Sequence, residues 1–177
     1  MSPVPPAVQR VLDAAARKGV QLDVRIFERS THTAAEAAAA VGAEVGQIVK
    51  SLVFVAEGTN GIRPCLVLAS GANTVDITLL ANALTEPTIR RATADEAREL
   101  TGFTIGGIPP FGHPAPLRTV MDPDLGRFEI VWAAAGTANA VFAVTPATLR
   151  VLANAVVTPI AAERDSGPQT LPAAANP

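Results

Sequence analysis

Apolar residues fall at helical spacing from residue 5 to 18, with Val8, Val11, Leu12 and Ala15 on one face and Gly19 as a natural stop, so the chain is predicted to open on a helix. Leu22 to Phe27 alternates apolar and polar positions, the period of a strand. Thr33-Ala34-Ala35-Glu36 is a capping box, in which hydroxyl and carboxylate satisfy backbone amides, and it opens an alanine-rich helix that runs to Gly42. Two apolar runs follow, 49–56 and 63–69, joined by Glu57-Gly58-Thr59-Asn60-Gly61, which predicts a hairpin. Helices are predicted at 76–84 and 93–100, the second again behind a capping box, Thr93-Ala94-Asp95-Glu96. Strands return at 118–121, 127–133 and 140–144, Thr145-Pro146 opens a further helix, and 156–160 reads as a last strand. Runs of strands with interspersed helices, lacking a regular βαβα alternation, predict a mixed α+β fold around a largely antiparallel sheet.

Composition narrows this to one domain. The 177 residues are 49% hydrophobic and 17% charged, enough to bury a core and too apolar for intrinsic disorder. From residue 163 the composition turns polar and proline-rich, so 1–162 is expected to form the domain and 163–177 a disordered tail. The apolar segments are broken well before 18 residues and the N-terminus lacks the basic start and apolar core of a signal peptide, which predicts a cytoplasmic protein with no membrane partner. A net charge of -2 argues against coating long stretches of nucleic acid, although contact with one nucleotide end is compatible with it. No CxxC pair, HExxH or dense acidic cluster is present, so neither a metal nor another cofactor is expected.

The chemistry concentrates in two places. Lys50 is one of two lysines, in a chain that otherwise takes its cations as arginine, and it stands inside an apolar strand. A buried ammonium must find a partner or lose its charge, so Lys50 points to a bound anion or to catalysis; an edge lysine with a packed stem is the alternative. Between 102 and 114 the periodicity disappears, and four glycines and three prolines crowd into thirteen residues. Paired glycines expose backbone N–H donors and the prolines fix the loop's shape, an arrangement suited to an oxyanion. A plain tight loop is the competing interpretation. Cys65, in Pro64-Cys65-Leu66-Val67, reads as a core residue, with a catalytic thiol as the weaker option. His32 and His113 are candidates for proton transfer, each among Thr, Gly and Pro residues that also suit ordinary loops. Asp76 is expected to cap the helix that follows it.

An Ala-Glu-Ala-Ala-type helix ending at Gly42, then Ile48-Val49-Lys50-Ser51-Leu52, Leu68-Ala69-Ser70-Gly71 and Gly102-Phe103-Thr104-Ile105-Gly106-Gly107-Ile108-Pro109-Pro110-Phe111-Gly112 together resemble the YbaK/ProX family, free-standing relatives of the editing domain inserted in bacterial prolyl-tRNA synthetases. The resemblance runs in order from about residue 20 to 160, and its lysine and GxxxP loop, Gly106 to Pro110, are specific as a pair. It implies an α+β fold with a mixed, largely antiparallel and partly barrel-like sheet surrounded by helices. It also implies a trans-acting deacylase that hydrolyses the ester between a wrong amino acid and the 3′-terminal adenosine of a tRNA, with the acceptor end of aminoacyl-tRNA and an aminoacyl-tRNA synthetase as partners.

Carried across, Lys50 would contact the terminal phosphate or ribose and the amides of Gly106 and Gly107 would face the ester carbonyl. Ile108 and Pro110 of the GxxxP loop, with His113, Ser51, Ser70, Gly71 and Gly136, would line or support the pocket. An aminoacyl ester is already activated, so oriented water, a stabilised oxyanion and the ribose 2′-hydroxyl suffice without a protein base. Small residues in Ala133-Ala134-Ala135-Gly136-Thr137-Ala138-Asn139 depart from relatives with a histidine there and leave the amino acid unidentified. Two other interpretations stand beside this one: a non-catalytic protein that binds a nucleotide or tRNA end on the same fold, and an unrelated small hydrolase that uses Cys65.

Overall fold

The computed structural model describes residues 2–164. Five helices, α1 Pro6–Arg17, α2 Ala34–Val41, α3 Ile77–Leu84, α4 Ala94–Thr101 and α5 Pro146–Ala153, surround one sheet of eight strands. The strands are β1 Val24–Ile26, β2 Ile48–Gly58, β3 Gly61–Ser70, β4 Arg90–Arg91, β5 Arg118–Met121, β6 Val131–Ala134, β7 Ala140–Val144 and β8 Val156–Val157. They lie in the order β1-β7-β6-β2-β3-β5-β8, with β4 beside β2. The sheet is open, from β1 at one edge to β8 at the other, and it is mixed. Pairings β1–β7, β6–β7, β2–β3 and β2–β4 are antiparallel, whereas β2–β6, β3–β5 and β5–β8 are parallel.

Local chemistry sets the element ends. Thr93 accepts from the Glu96 amide at 3.2 Å and donates its own amide to the Glu96 carboxylate at 2.8 Å, a complete capping box, whereas Thr33 accepts from the Glu36 amide at 3.1 Å but the Glu36 carboxylate takes the His32 N–H at 2.8 Å, so only half of the expected box forms; Asp76 accepts from Leu79 at 2.9 Å. The strand expected over 127–133 begins later. Asp122 caps Asp124 at 2.9 Å and Pro123 starts a single 3₁₀ turn that consumes Pro123–Arg127. The last strand likewise stops at Val157 instead of reaching residue 160, with a proline at position 159. Of the expected tail, residues 165–177 lie outside the described residues, while Arg164 is described and hydrogen-bonds Asn73 at 3.1 Å.

Both faces of the sheet are covered. On β3, Leu66 and Leu68 enter the core beneath α1, α4 and α5, and the intervening Cys65, Val67 and Ala69 pack with Leu80 and Leu84 of α3. Each fully buried leucine contributes about 1.5–3 kcal/mol relative to exposure, and a one-residue slip would exchange the two sets, which pins the β2–β3 register that places Lys50 opposite Ala69. Among the described residues no helix is long and apolar enough to cross a membrane.

Candidate functional site

The sheet opens where the strands on one side of β2 change. β6 pairs with β2 at Ile48 and Val49, and β4 pairs with it at Phe54 and Val55. Residues Lys50 to Val53 between those ladders face a cavity of about 230 Å³. A second hollow of about 140 Å³ adjoins it and shares His32, Ala34, Lys50, Gly106 and Ala134. Apolar walls come from Leu52, Val53, Ala97, Ile105 and Ile108.

The charge is one-sided. Lys50 and Arg91 both line the cavity, exposed His32 sits at its edge, and no Asp or Glu among the described residues lines it or its neighbour. Adjacent arginines differ sharply here. Arg90 is saturated by Glu57 and Glu96, each at 2.9 Å. Arg91 forms no ion pair among the described residues and instead stands 5.4 Å from the centroid of the Phe54 ring. Lys50 is half-buried, and its ammonium donates to the backbone carbonyl of Asn73. Its pKa is held below the ordinary lysine value, first by burial and then by the nearby Arg91 charge, with Asp122 pulling the other way.

Two donors accompany these cations. Ser51 Oγ is buried and has no hydrogen-bond partner among the described residues, in a molecule where buried hydroxyls are otherwise bonded. Gly106 is exposed at φ +96°, a conformation that glycine reaches without strain, and its N–H is committed to no backbone partner among the described residues.

Lys50, Ser51, Gly106 and Ile108 therefore converge on one cavity, and the other expected site residues do not. The Gly107 amide is spent on Thr104 O at 3.0 Å, and a Cβ there would lie 2.7 Å from Thr137 Cα, so its role is close packing. Ser70 is buried and donates to Gly46 O at 2.7 Å. Gly71 donates to Ile48 O at 2.7 Å, closing the turn behind Lys50. Gly136 sits against α1, where a Cβ would come within 2.6 Å of Ala7 O.

Pro110 and His113 belong to another cavity, of about 460 Å³, between α1, α5 and the far side of the loop. His113 Nε2 bonds Pro109 O at 2.9 Å and its ring meets Phe103 edge-on at 6.2 Å. Burial holds its pKa below the usual histidine value despite that carbonyl. Burial also pushes the Cys65 thiol up to about 12, so Cys65 stays protonated beneath α3 and supplies no nucleophile.

Lys50 and Gly106 of the GxxxP loop, the two motifs that resembled an editing domain, line one cavity, and residues 28–152 match the aminoacyl-tRNA editing domain family. The chain belongs to that family. Among curated members it is 30% identical over 123 residues, 68% of this chain and 72% of the other, to the multifunctional Ser/Thr-tRNA deacylase ProXp-y of Escherichia coli (strain K12). It is 34% identical over 131 residues, 72% and 78% of the two chains, to the uncharacterized protein YwhH of Bacillus subtilis (strain 168). Among solved structures it superposes with TM-score 0.83 and 46% identity on a protein proposed to be a trans-editing enzyme for prolyl tRNA synthetase, over 91% of this chain and all of that one. It also superposes on the hypothetical protein APE2540 with TM-score 0.79 and 29% identity, over 86% and 99% of the two chains.

Arg91 escaped the sequence reading. It lies on a two-residue strand with no periodicity to mark it, and the Arg90-Arg91 pair reads as an ordinary solvated charge until the fold shows which of the two lacks a carboxylate.

Proposed function

We propose that the protein is a trans-acting aminoacyl-tRNA deacylase, and that the cavity beside Lys50 receives the aminoacylated 3′ end. The observation that carries this is the convergence of Lys50 and Arg91, with no carboxylate alongside, next to the uncommitted Gly106 amide. Two cations lining one cavity suit the phosphate of a terminal nucleotide, and the apolar wall of Val53, Ala97 and Ile108 suits the aminoacyl group. At about 230 Å³ the cavity falls below the ~300–1,000 Å³ of pockets for drug-sized ligands and admits a small side chain.

In the proposed reaction a bound water attacks the ester carbonyl carbon. The carbonyl oxygen takes up negative charge against the Gly106 N–H, the bond to the ribose 3′ oxygen breaks, and that oxygen leaves with a proton. The products are the free amino acid and tRNA with an intact 3′-hydroxyl. Substrate activation and positioning supply the rate, and His32 is the one titratable imidazole at the cavity edge that can relay a proton. Such a reaction would act on cytoplasmic tRNA.

Ser51 Oγ gives the substrate a chemical bias. A buried hydroxyl with no partner among the described residues gains a hydrogen bond from a side-chain hydroxyl of the substrate and none from an apolar side chain, so seryl and threonyl esters are favoured over alanyl and valyl, in line with the Ser/Thr-tRNA named for the Escherichia coli relative. Deacylation of a panel of mischarged tRNAs tests both parts. Hydrolysis led by seryl- or threonyl-tRNA supports the reading, and binding without hydrolysis of any ester favours a non-catalytic binder of the tRNA end.

A further inference from the structure

Behind Lys50, away from the cavity, the chain ties a polar knot around Asn73. The residue is buried, and every polar atom it carries is engaged. Its backbone N–H donates to Ser70 O at 3.0 Å, and its backbone carbonyl accepts from the Lys50 ammonium. Its side-chain Nδ2 donates to Asp122 Oδ2 and Asp124 Oδ2, both at 2.8 Å, and Oδ1 accepts from Arg164 at 3.1 Å. Two carboxylates at one end and a guanidinium at the other leave the amide a single satisfactory orientation. Asp122, almost fully buried, also accepts from the Ser70 amide at 3.1 Å, which fastens the loop to β3.

The segment bearing Arg164 is itself fastened to the same turn. Asp76 donates to Ile160 O and Ala162 donates to Thr74 O, both at 2.8 Å, and Val75 pairs with Ala161 as an isolated antiparallel bridge. Residues Ile160 to Arg164 thus form a strap across the Asn73 turn. We propose that Asn73 is the positioning residue for Lys50 and that the C-terminal strap, through Arg164, holds it in place. An ammonium has three donors, and committing one to a fixed carbonyl holds the head group in place and leaves the other two with less freedom to lose on binding an anion. That consequence for turnover rests on the deacylase reading, whereas the positioning does not.

The test uses the full chain with its lysines labelled at ¹³Cε, which gives two signals, since Lys18 and Lys50 are the only lysines. Arg164→Ala and Asn73→Ala are each expected to move the Lys50 signal toward that of a free lysine and leave Lys18 in place; Arg164→Ala keeps the test open if Asn73→Ala does not fold. Deacylation at subsaturating substrate should fall several-fold in Arg164→Ala, yet change little when Arg164→Ala is added to Lys50→Ala. An unmoved Lys50 signal, or equal losses in the wild-type and Lys50→Ala backgrounds, overturns the proposal. A moved signal in a protein that hydrolyses no aminoacyl ester overturns the deacylase reading and upholds the positioning.

Discussion

The 102–117 loop separates two cavities, and the larger of them has the weaker claim to function. The cavity at His113 measures about 460 Å³ against about 230 Å³ at Lys50. Its lysine and imidazole, however, are already employed: Lys18 donates to Val151 O at 3.1 Å and Leu152 O at 2.9 Å, capping α5, and His113 holds Pro109 O, while Arg17 lines it with no ion pair among the described residues. Around the smaller cavity, among the described residues, Arg91 has no carboxylate, Ser51 Oγ no partner and the Gly106 amide no backbone acceptor. A site is marked by polar groups that the fold has oriented without satisfying, and volume alone says little.

The largest effect is expected from Lys50→Ala. Losing a charge-assisted contact worth roughly 1.5–3 kcal/mol should lower single-turnover deacylation about 10–100-fold. The melting temperature should hold, because a half-buried charge is removed along with its desolvation cost. Full activity in the folded variant would move the site elsewhere.

The two adjacent glycines should divide between fold and function. Gly107→Ala forces a Cβ to within 2.7 Å of Thr137 Cα, an overpacking of about 1–3 kcal/mol that thermal melts will register. Gly106→Ala meets only Ala138 Cβ at 3.5 Å, so its cost is the φ of +96° and the altered approach to its amide, and it should slow hydrolysis more than it lowers melting. Equal melting losses in the two variants would erase that division.

Arg91→Ala should weaken substrate several-fold, and the loss should shrink at high salt, as expected of an exposed cation. Arg90→Ala should leave binding alone and act on stability through Glu57 and Glu96.

The smallest effect on turnover is expected at His113, where substitution by alanine should leave the rate per folded molecule unchanged. Burial lowers its pKa from the ordinary 6.5. The unfolded chain therefore takes up a proton near pH 6.5 that the folded chain refuses, and stability falls as pH drops below that value until the folded pKa is passed. His113→Ala should flatten this part of the stability profile in denaturant melts at pH 5–7.

What the sequence disclosed was mostly local. The Thr33 and Thr93 caps, the β2–β3 hairpin, Lys50 and the glycine pair all announce themselves within a few residues. The site's second cation and the Asn73–Asp122 knot depend on contacts between segments 20 to more than 90 residues apart, as in Arg164 with Asn73, and no short-range pattern encodes them. Which strands pair in parallel, β2–β6 and β3–β5, was hidden for the same reason, although the sheet is mixed and largely antiparallel as expected.

The two lysines stand one in each cavity, Lys18 beside His113 and Lys50 beside Arg91, and this permits a direct test of where the aminoacylated 3′ end binds. Titrating ¹³Cε-lysine-labelled protein with a non-hydrolysable, amide-linked 3′-seryl adenosine 5′-phosphate should shift the Lys50 signal saturably and leave Lys18 unmoved. A saturable shift of Lys18 with Lys50 unchanged would place the ligand on the other side of the loop and contradict the assignment.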